Sequence, residues 1–159
     1  MLKHKIENAN HSNYKSIYNF YKNPDFHGVI FLWGPTCSGK SCLARQLEQQ
    51  LCGEFTIWNS CMTEFLEAAI EELRKNIGSF SVSEFCDKYD HIDLFILEDT
   101  HEIKERSFTQ VFLSNLFAEL NRRKKKILVV STGTLEEMSE FYELLCLKLG
   151  EDCIQVEMK

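Results

Sequence analysis

The residues best suited to chemistry in this sequence are Gly34-Pro35-Thr36-Cys37-Ser38-Gly39-Lys40-Ser41. They read G-x-x-x-x-G-K-S, a phosphate-binding loop. The chemistry is recognition of a polyphosphate, in which successive backbone N–H groups and the positive end of a helix dipole face the anion. Gly34 and Gly39 permit backbone conformations and close approaches that a side chain would block. Pro35, Thr36, Cys37 and Ser38 form the body of the loop. Lys40 is placed to reach the β- and γ-phosphates, the Ser41 hydroxyl to ligate Mg²⁺, and Cys42 to open the helix behind. A nucleotide polyphosphate with Mg²⁺ is therefore the expected ligand. The bland alternative is a chance match in a glycine-bearing turn.

A second candidate is Leu94-Phe95-Ile96-Leu97-Glu98-Asp99, four apolar residues ending in two carboxylates. At the C-terminal end of a parallel strand such a pair lies beside the phosphate loop. One carboxylate can hold Mg²⁺ through its water shell while the other orients or deprotonates an attacking water. Adjacent strand residues face opposite ways, so Glu98 and Asp99 need not share a role. The alternative is a pair of carboxylates ending a strand in solvent. Thr132, just past the apolar run 127–131, is a candidate to reach the terminal phosphate or its attacking water, although Ser and Thr at strand ends are also ordinary turn formers. His101 reads as a polar turn or support residue.

These groups need elements to hold them. Residues 29–33 are apolar on both faces, as expected of a central parallel strand, and residues 42–51 follow with Leu43, Leu47 and Leu51 on one helical face. Before them, a helix from residue 12 ends at Asn23-Pro24-Asp25, because the residue before proline avoids the helical region. Strands are expected at 55–59, 93–97, 127–131 and 153–156. Helices are expected at 63–76, with Phe65, Leu66, Ala69, Ile70 and Leu73 on one side, and at 81–88 behind the capping box Ser81-Val82-Ser83-Glu84. Further helices are expected from Ser107, behind a second capping box, to about Arg123, with Val111, Leu116 and Leu120 buried, and from Thr134 to about Leu149. Strands and helices alternate throughout, which predicts a doubly wound α/β domain with its ligand at the strand ends.

The chain has 159 residues, a formal charge of −6 and 44% hydrophobic residues. That is one domain with a sizeable core, with residues 1–11 expected to be flexible. Its acidity argues against a broad electrostatic grip on duplex DNA. Seven cysteines occur without any C-x-x-C pair, the look of reduced thiols in a cytoplasmic protein rather than a zinc site. The first residues carry no signal-peptide core, and no apolar run is long enough for a membrane span. Arg122-Arg123-Lys124-Lys125-Lys126 is the one basic run. It reads more readily as a helix end favoured by the dipole than as a nucleic-acid patch.

The order of motifs resembles the AAA+ ATPases, and within them the bacterial replication initiator DnaA and its short regulatory homologues. The resemblance rests on Ser12-Asn13 before an aromatic-rich helix and on residues 34–41 as Walker A. It rests further on Phe65-Leu66-Glu67-Ala68, then Glu84-Phe85 and Tyr89, leading into residues 93–99 as Walker B, and on Ser131-Thr132 at the sensor I position. It implies a three-layer P-loop NTPase sandwich with a five-stranded parallel sheet of order 5-1-4-3-2. It also implies Glu98 at the Mg²⁺ position, where the family usually has Asp, and Asp99 at the catalytic carboxylate position. The family's trans-acting and lid arginines have no counterpart after Arg123, and neither a lid nor a DNA-binding domain is evident. This implies a nucleotide-binding module with weak or no ATP hydrolysis, acting through a protein partner of the replication machinery or through self-association. Two alternatives stand beside it. One is a helicase-loader-type ATPase on single-stranded DNA, which would depend on Lys124–Lys126; within the initiator family itself, Arg74 and Lys75 fall in the region whose helices can touch single-stranded DNA. The other is a small P-loop kinase, which would need a lid of phosphate-clamping arginines.

Overall fold

The computed structural model describes residues 5–7, 10–75, 81–132 and 136–158, with side chains for 12–75, 81–100, 102–132 and 136–158. Among the described residues six parallel strands form one sheet: β1 (Lys5–Glu7), β2 (Gly28–Gly34), β3 (Ile57–Cys61), β4 (Leu94–Glu98), β5 (Lys126–Thr132) and β6 (Cys153–Glu157), in the order β1-β6-β2-β5-β4-β3. The expected five-stranded order is present as β6-β2-β5-β4-β3. The three-residue β1 adds a sixth strand at the free edge of β6. Three residues are too few to show a hydrophobic period, so β1 has no signature in the sequence.

Alternation along the strands builds two cores. Val29, Phe31, Phe95, Leu97, Ile127 and Val129 face one side. There they meet α3 (Met62–Lys75), α4 (Val82–Lys88), α5 (Ser107–Arg122) and α6 (Ser139–Leu149). Ile30, Leu32, Leu94, Ile96, Leu128 and Val130 face the other, against α1 (Asn10–Lys22) and α2 (Lys40–Leu51). The result is the three-layer sandwich. The Tyr21 hydroxyl, fully buried, donates to the Ile127 carbonyl at 3.1 Å and fixes α1 across the sheet.

The helices differ from expectation in detail. Ser81 caps α4 by accepting from the Glu84 N–H at 3.0 Å, as its capping box requires. The second box does not form. Arg106 is the N-cap of α5 without a side-chain bond, and the Gln110 amide instead donates to the Ile103 and Lys104 carbonyls. Gln110 is buried, and satisfying those turn carbonyls outweighs reaching back to the helix start. Leu73 and Val111, expected in the core, are 42% and 44% exposed. Leu73 lies in the last turn of α3 and lines an open apolar groove with Ile70, Val82 and Phe108, and Val111 lies beside α6 on the outer face of α5. The expected starts and stops at residues 76–80 and 133–135 lie outside the described residues.

Candidate nucleotide site

The phosphate loop joins β2 to α2, as its spacing demands. Gly34 ends β2 at φ 153°, and a Cβ there would lie 2.4 Å from the Met158 carbonyl oxygen. Any side chain would therefore push the loop off the end of β6. Gly39 is left-handed at φ 92° and is the N-cap of α2. No side chain caps that terminus, so first-turn N–H donors remain for a ligand. Cys37 is left-handed without being glycine, at φ 63°, a conformation that costs about 1 kcal/mol.

Lys40 lies folded back over the loop and is only 6% exposed. Its ammonium donates to the Gly34 carbonyl at 2.8 Å, the Pro35 carbonyl and the Ser38 hydroxyl at 3.1 Å. Burial pushes its pKa below the ordinary lysine value, and Cys37 beside it works weakly the other way.

The cleft over this loop has a volume of ≈ 220 Å³. Thr36, Cys37, Gly39, Lys40, Ser41 and Cys42 line it on one side. Glu98, Asp99, Val130 and Thr132 line it on the other. Gly34, Pro35 and Ser38 lie behind, as the acceptors for Lys40. Residues nearly a hundred positions apart thus converge because β4 and β5 end next to the loop that follows β2. Val130 was not foreseen; its apolar side chain gives no chemical signal in a sequence.

Strand alternation does not settle where the two carboxylates go. Glu98 continues the Leu94–Ile96 face of β4, the face covered by α2. Asp99 would turn to the opposite layer if the strand continued. Instead it adopts φ 57° and leaves the strand, and both side chains reach one cleft. Aspartate tolerates the left-handed region better than most residues. The oxygen donors of Ser41, Glu98, Asp99 and Thr132 form the hard donor set that Mg²⁺ prefers, so these residues fit that ion. The His101 side chain lies outside the described residues.

The basic run is occupied structurally. Arg122 pairs with Glu119. Arg123, 14% exposed in its side chain, meets Glu119, Asp87 and Asp90 and donates to the Ser83 carbonyl and hydroxyl. Lys125 reaches Asp90, and Lys126, 8% exposed, donates to the Phe26 carbonyl. Lys75 on α3 pairs with Glu71 at 3.4 Å. Cys37, Cys42 and Cys52 are exposed thiols, whereas Cys86, Cys146 and Cys153 are buried. Among the described residues no helix is long and apolar enough to cross a membrane.

Three comparisons bear on this site. A model of the bacterial DnaA ATPase domain family matches residues 5–154. The chromosomal replication initiator protein DnaA of Buchnera aphidicola subsp. Cinara cedri is 27% identical over 145 residues, which cover 86% of this chain and 31% of that protein. The structure of AMPPCP-bound DnaA from Aquifex aeolicus superposes with a TM-score of 0.74 at 22% identity, over 97% of this chain and 48% of that one. The DnaC helicase loader superposes with a TM-score of 0.71 at 12% identity, over 98% of this chain and 93% of that one. The chain thus spans about a third of the curated relative and half of the solved initiator structure.

Proposed function

The chain belongs to the bacterial DnaA ATPase domain family, and from that premise we propose that it binds ATP or ADP with Mg²⁺ and works as a nucleotide-responsive AAA+ module in the initiation of DNA replication or its control. The observation that carries this reading is the single cleft shared by the phosphate loop, both carboxylates and Thr132. The loop amides and Lys40 hold the phosphates. Ser41 and Glu98 hold the metal ion, which supplies charge neutralisation at the terminal phosphates. Asp99 and Thr132 flank the position of an attacking water.

Hydrolysis is slow in this reading. A trans-acting arginine in related phosphoryl-transfer machines contributes about 10³–10⁵ in rate. Among the described residues, Arg122 is paired with Glu119, and Arg123 is committed to Glu119 and Asp87. The nucleotide then acts chiefly as a conformational ligand, read out through protein contacts. The helicase-loader reading needs free cations for single-stranded DNA, and four of the five residues in the basic run already have partners. The kinase reading finds no support in the family match.

Thermal melting with and without ATP–Mg²⁺ tests the site. The wild-type chain is expected to gain stability with nucleotide, and Lys40→Ala to lose that gain. An equal nucleotide-dependent shift in the Lys40→Ala protein would count against the proposal.

A further inference from the structure

Thr100 follows Asp99 directly and is fully buried. Its position is set by the way β4 ends. The register of β4 with β5 runs from Leu94↔Lys126 to Leu97↔Val129 and stops there, while the β2–β5 register continues to Gly34↔Thr132. The end of β5 is therefore paired on its β2 side and has lost its neighbouring strand on the other. Where the ladder stops, Asp99 turns to φ 57°, and the Thr100 hydroxyl takes over. It donates to the Val130 carbonyl at 2.9 Å and lies 3.4 Å from the Leu97 carbonyl. Val130 lines the cleft, and Thr132 lies two residues further along the same strand.

We propose that the buried Thr100 hydroxyl is a positioning group of the metal–nucleotide site. It pins the turn that carries Asp99 to the end of β5, so that Glu98, Asp99 and Thr132 keep one fixed spacing across the cleft. The inference rests on the nucleotide-site reading above. A side-chain donor replaces the backbone donor the ladder no longer provides. Without it, a buried carbonyl loses its partner and a left-handed turn loses its anchor. The phosphate loop stands apart from this bond, because it is braced by β2, α2 and Met158. Loss of the hydroxyl should therefore act on the carboxylate side of the cleft. Mg²⁺ demands near-ideal octahedral geometry and is sensitive to such a displacement.

Titration of a fluorescent ATP analogue into the full chain, in EDTA and in excess Mg²⁺, separates the two sides. Thr100→Val keeps the shape and removes the donor, whereas Thr100→Ser keeps the donor. In Thr100→Val the Mg²⁺-dependent gain in affinity is expected to fall about tenfold, the lower end for groups that orient a metal's ligands, while the affinity in EDTA stays within about twofold of wild type. Thr100→Ser is expected to restore the gain. Should Thr100→Val not fold, Thr100→Ala carries the same expectation. A full Mg²⁺ gain in the donor-less variant overturns the inference, as does an equal loss with and without Mg²⁺, or failure of Ser to rescue. A wild-type chain that binds no nucleotide overturns the site reading and this inference together. Nucleotide binding with an unchanged Mg²⁺ gain in Thr100→Val overturns this inference alone.

Discussion

Lys40 shows how a single buried charge is held by its own loop. Its ammonium is satisfied by the loop's own acceptors, Gly34, Pro35 and Ser38, and burial holds its pKa below the usual lysine range. A bound polyphosphate would replace neutral acceptors by anionic ones and lift that pKa. Binding then takes up a proton wherever the free protein has begun to lose it. The ATP affinity is expected to be level below the lowered pKa of the free protein and to fall as the pH rises through it. Calorimetric titration in two alkaline buffers of different ionisation enthalpy would show the uptake; equal heats in both would contradict it. Cys37 belongs to the same scale. Its left-handed backbone gives the loop its shape at some cost in local stability.

The C-terminal end of α5 shows the same logic for an element. The helix closes in a Schellman motif: the Lys125 N–H bonds the Leu120 carbonyl and the Lys124 N–H bonds the Asn121 carbonyl, both at 2.9 Å. The residue at the left-handed position is Lys124, φ 62°, where glycine is usual. Lys124→Gly is expected to raise stability by about 1 kcal/mol, read as a higher urea midpoint with an unchanged slope. In the turn before it, the Glu119 carboxyl is held down to about 2, first by Arg122 and then by Arg123, against the opposing effect of burial. A carboxylate with a depressed folded value contributes stability above its unfolded value of about 4.3 and loses it as the pH falls towards the folded value. Glu119→Gln should therefore flatten the decline in stability between those limits and lower stability at neutral pH. An unaltered acid limb in urea titrations would refute that assignment.

At the scale of the whole molecule, the sheet separates two cores and leaves its chemistry at one end. The layer of α3 to α6 carries the larger core, and it also carries exposed apolar side chains, Phe108 at 84% and Leu147 at 80%. Such residues contribute little to folding because they remain in water in the native state. Phe108→Ser is expected to leave the unfolding free energy within about 0.5 kcal/mol of wild type, as measured by urea unfolding. A large loss would mean that Phe108 is covered in solution. Under the proposed function, nucleotide would act on the whole molecule as well: a ligand at 100 times its dissociation constant stabilises the folded state by about 2.7 kcal/mol.

The phosphate loop, the apolar run ending in Glu98-Asp99 and the alternation of strands with helices were legible in the sequence because each is a local pattern set by backbone geometry. Gly34, Lys40 and Ser41 take their places around the loop from their spacing, and the five-stranded order followed from the motifs that resemble AAA+ proteins. The tertiary structure decided what depends on residues distant in the chain. It turned Asp99 out of β4 into the cleft of Glu98, tied four residues of the basic run to acceptors on α4, α5 and the flanking loops, and exposed Leu73 and Val111. It also gave the Thr100 hydroxyl the carbonyl of Val130, 30 residues away. The physical reason is one of range. Side-chain periodicity reports which face of an element is apolar, but where a strand stops pairing and which buried carbonyl then lacks a donor are settled only when the neighbouring strand is in place.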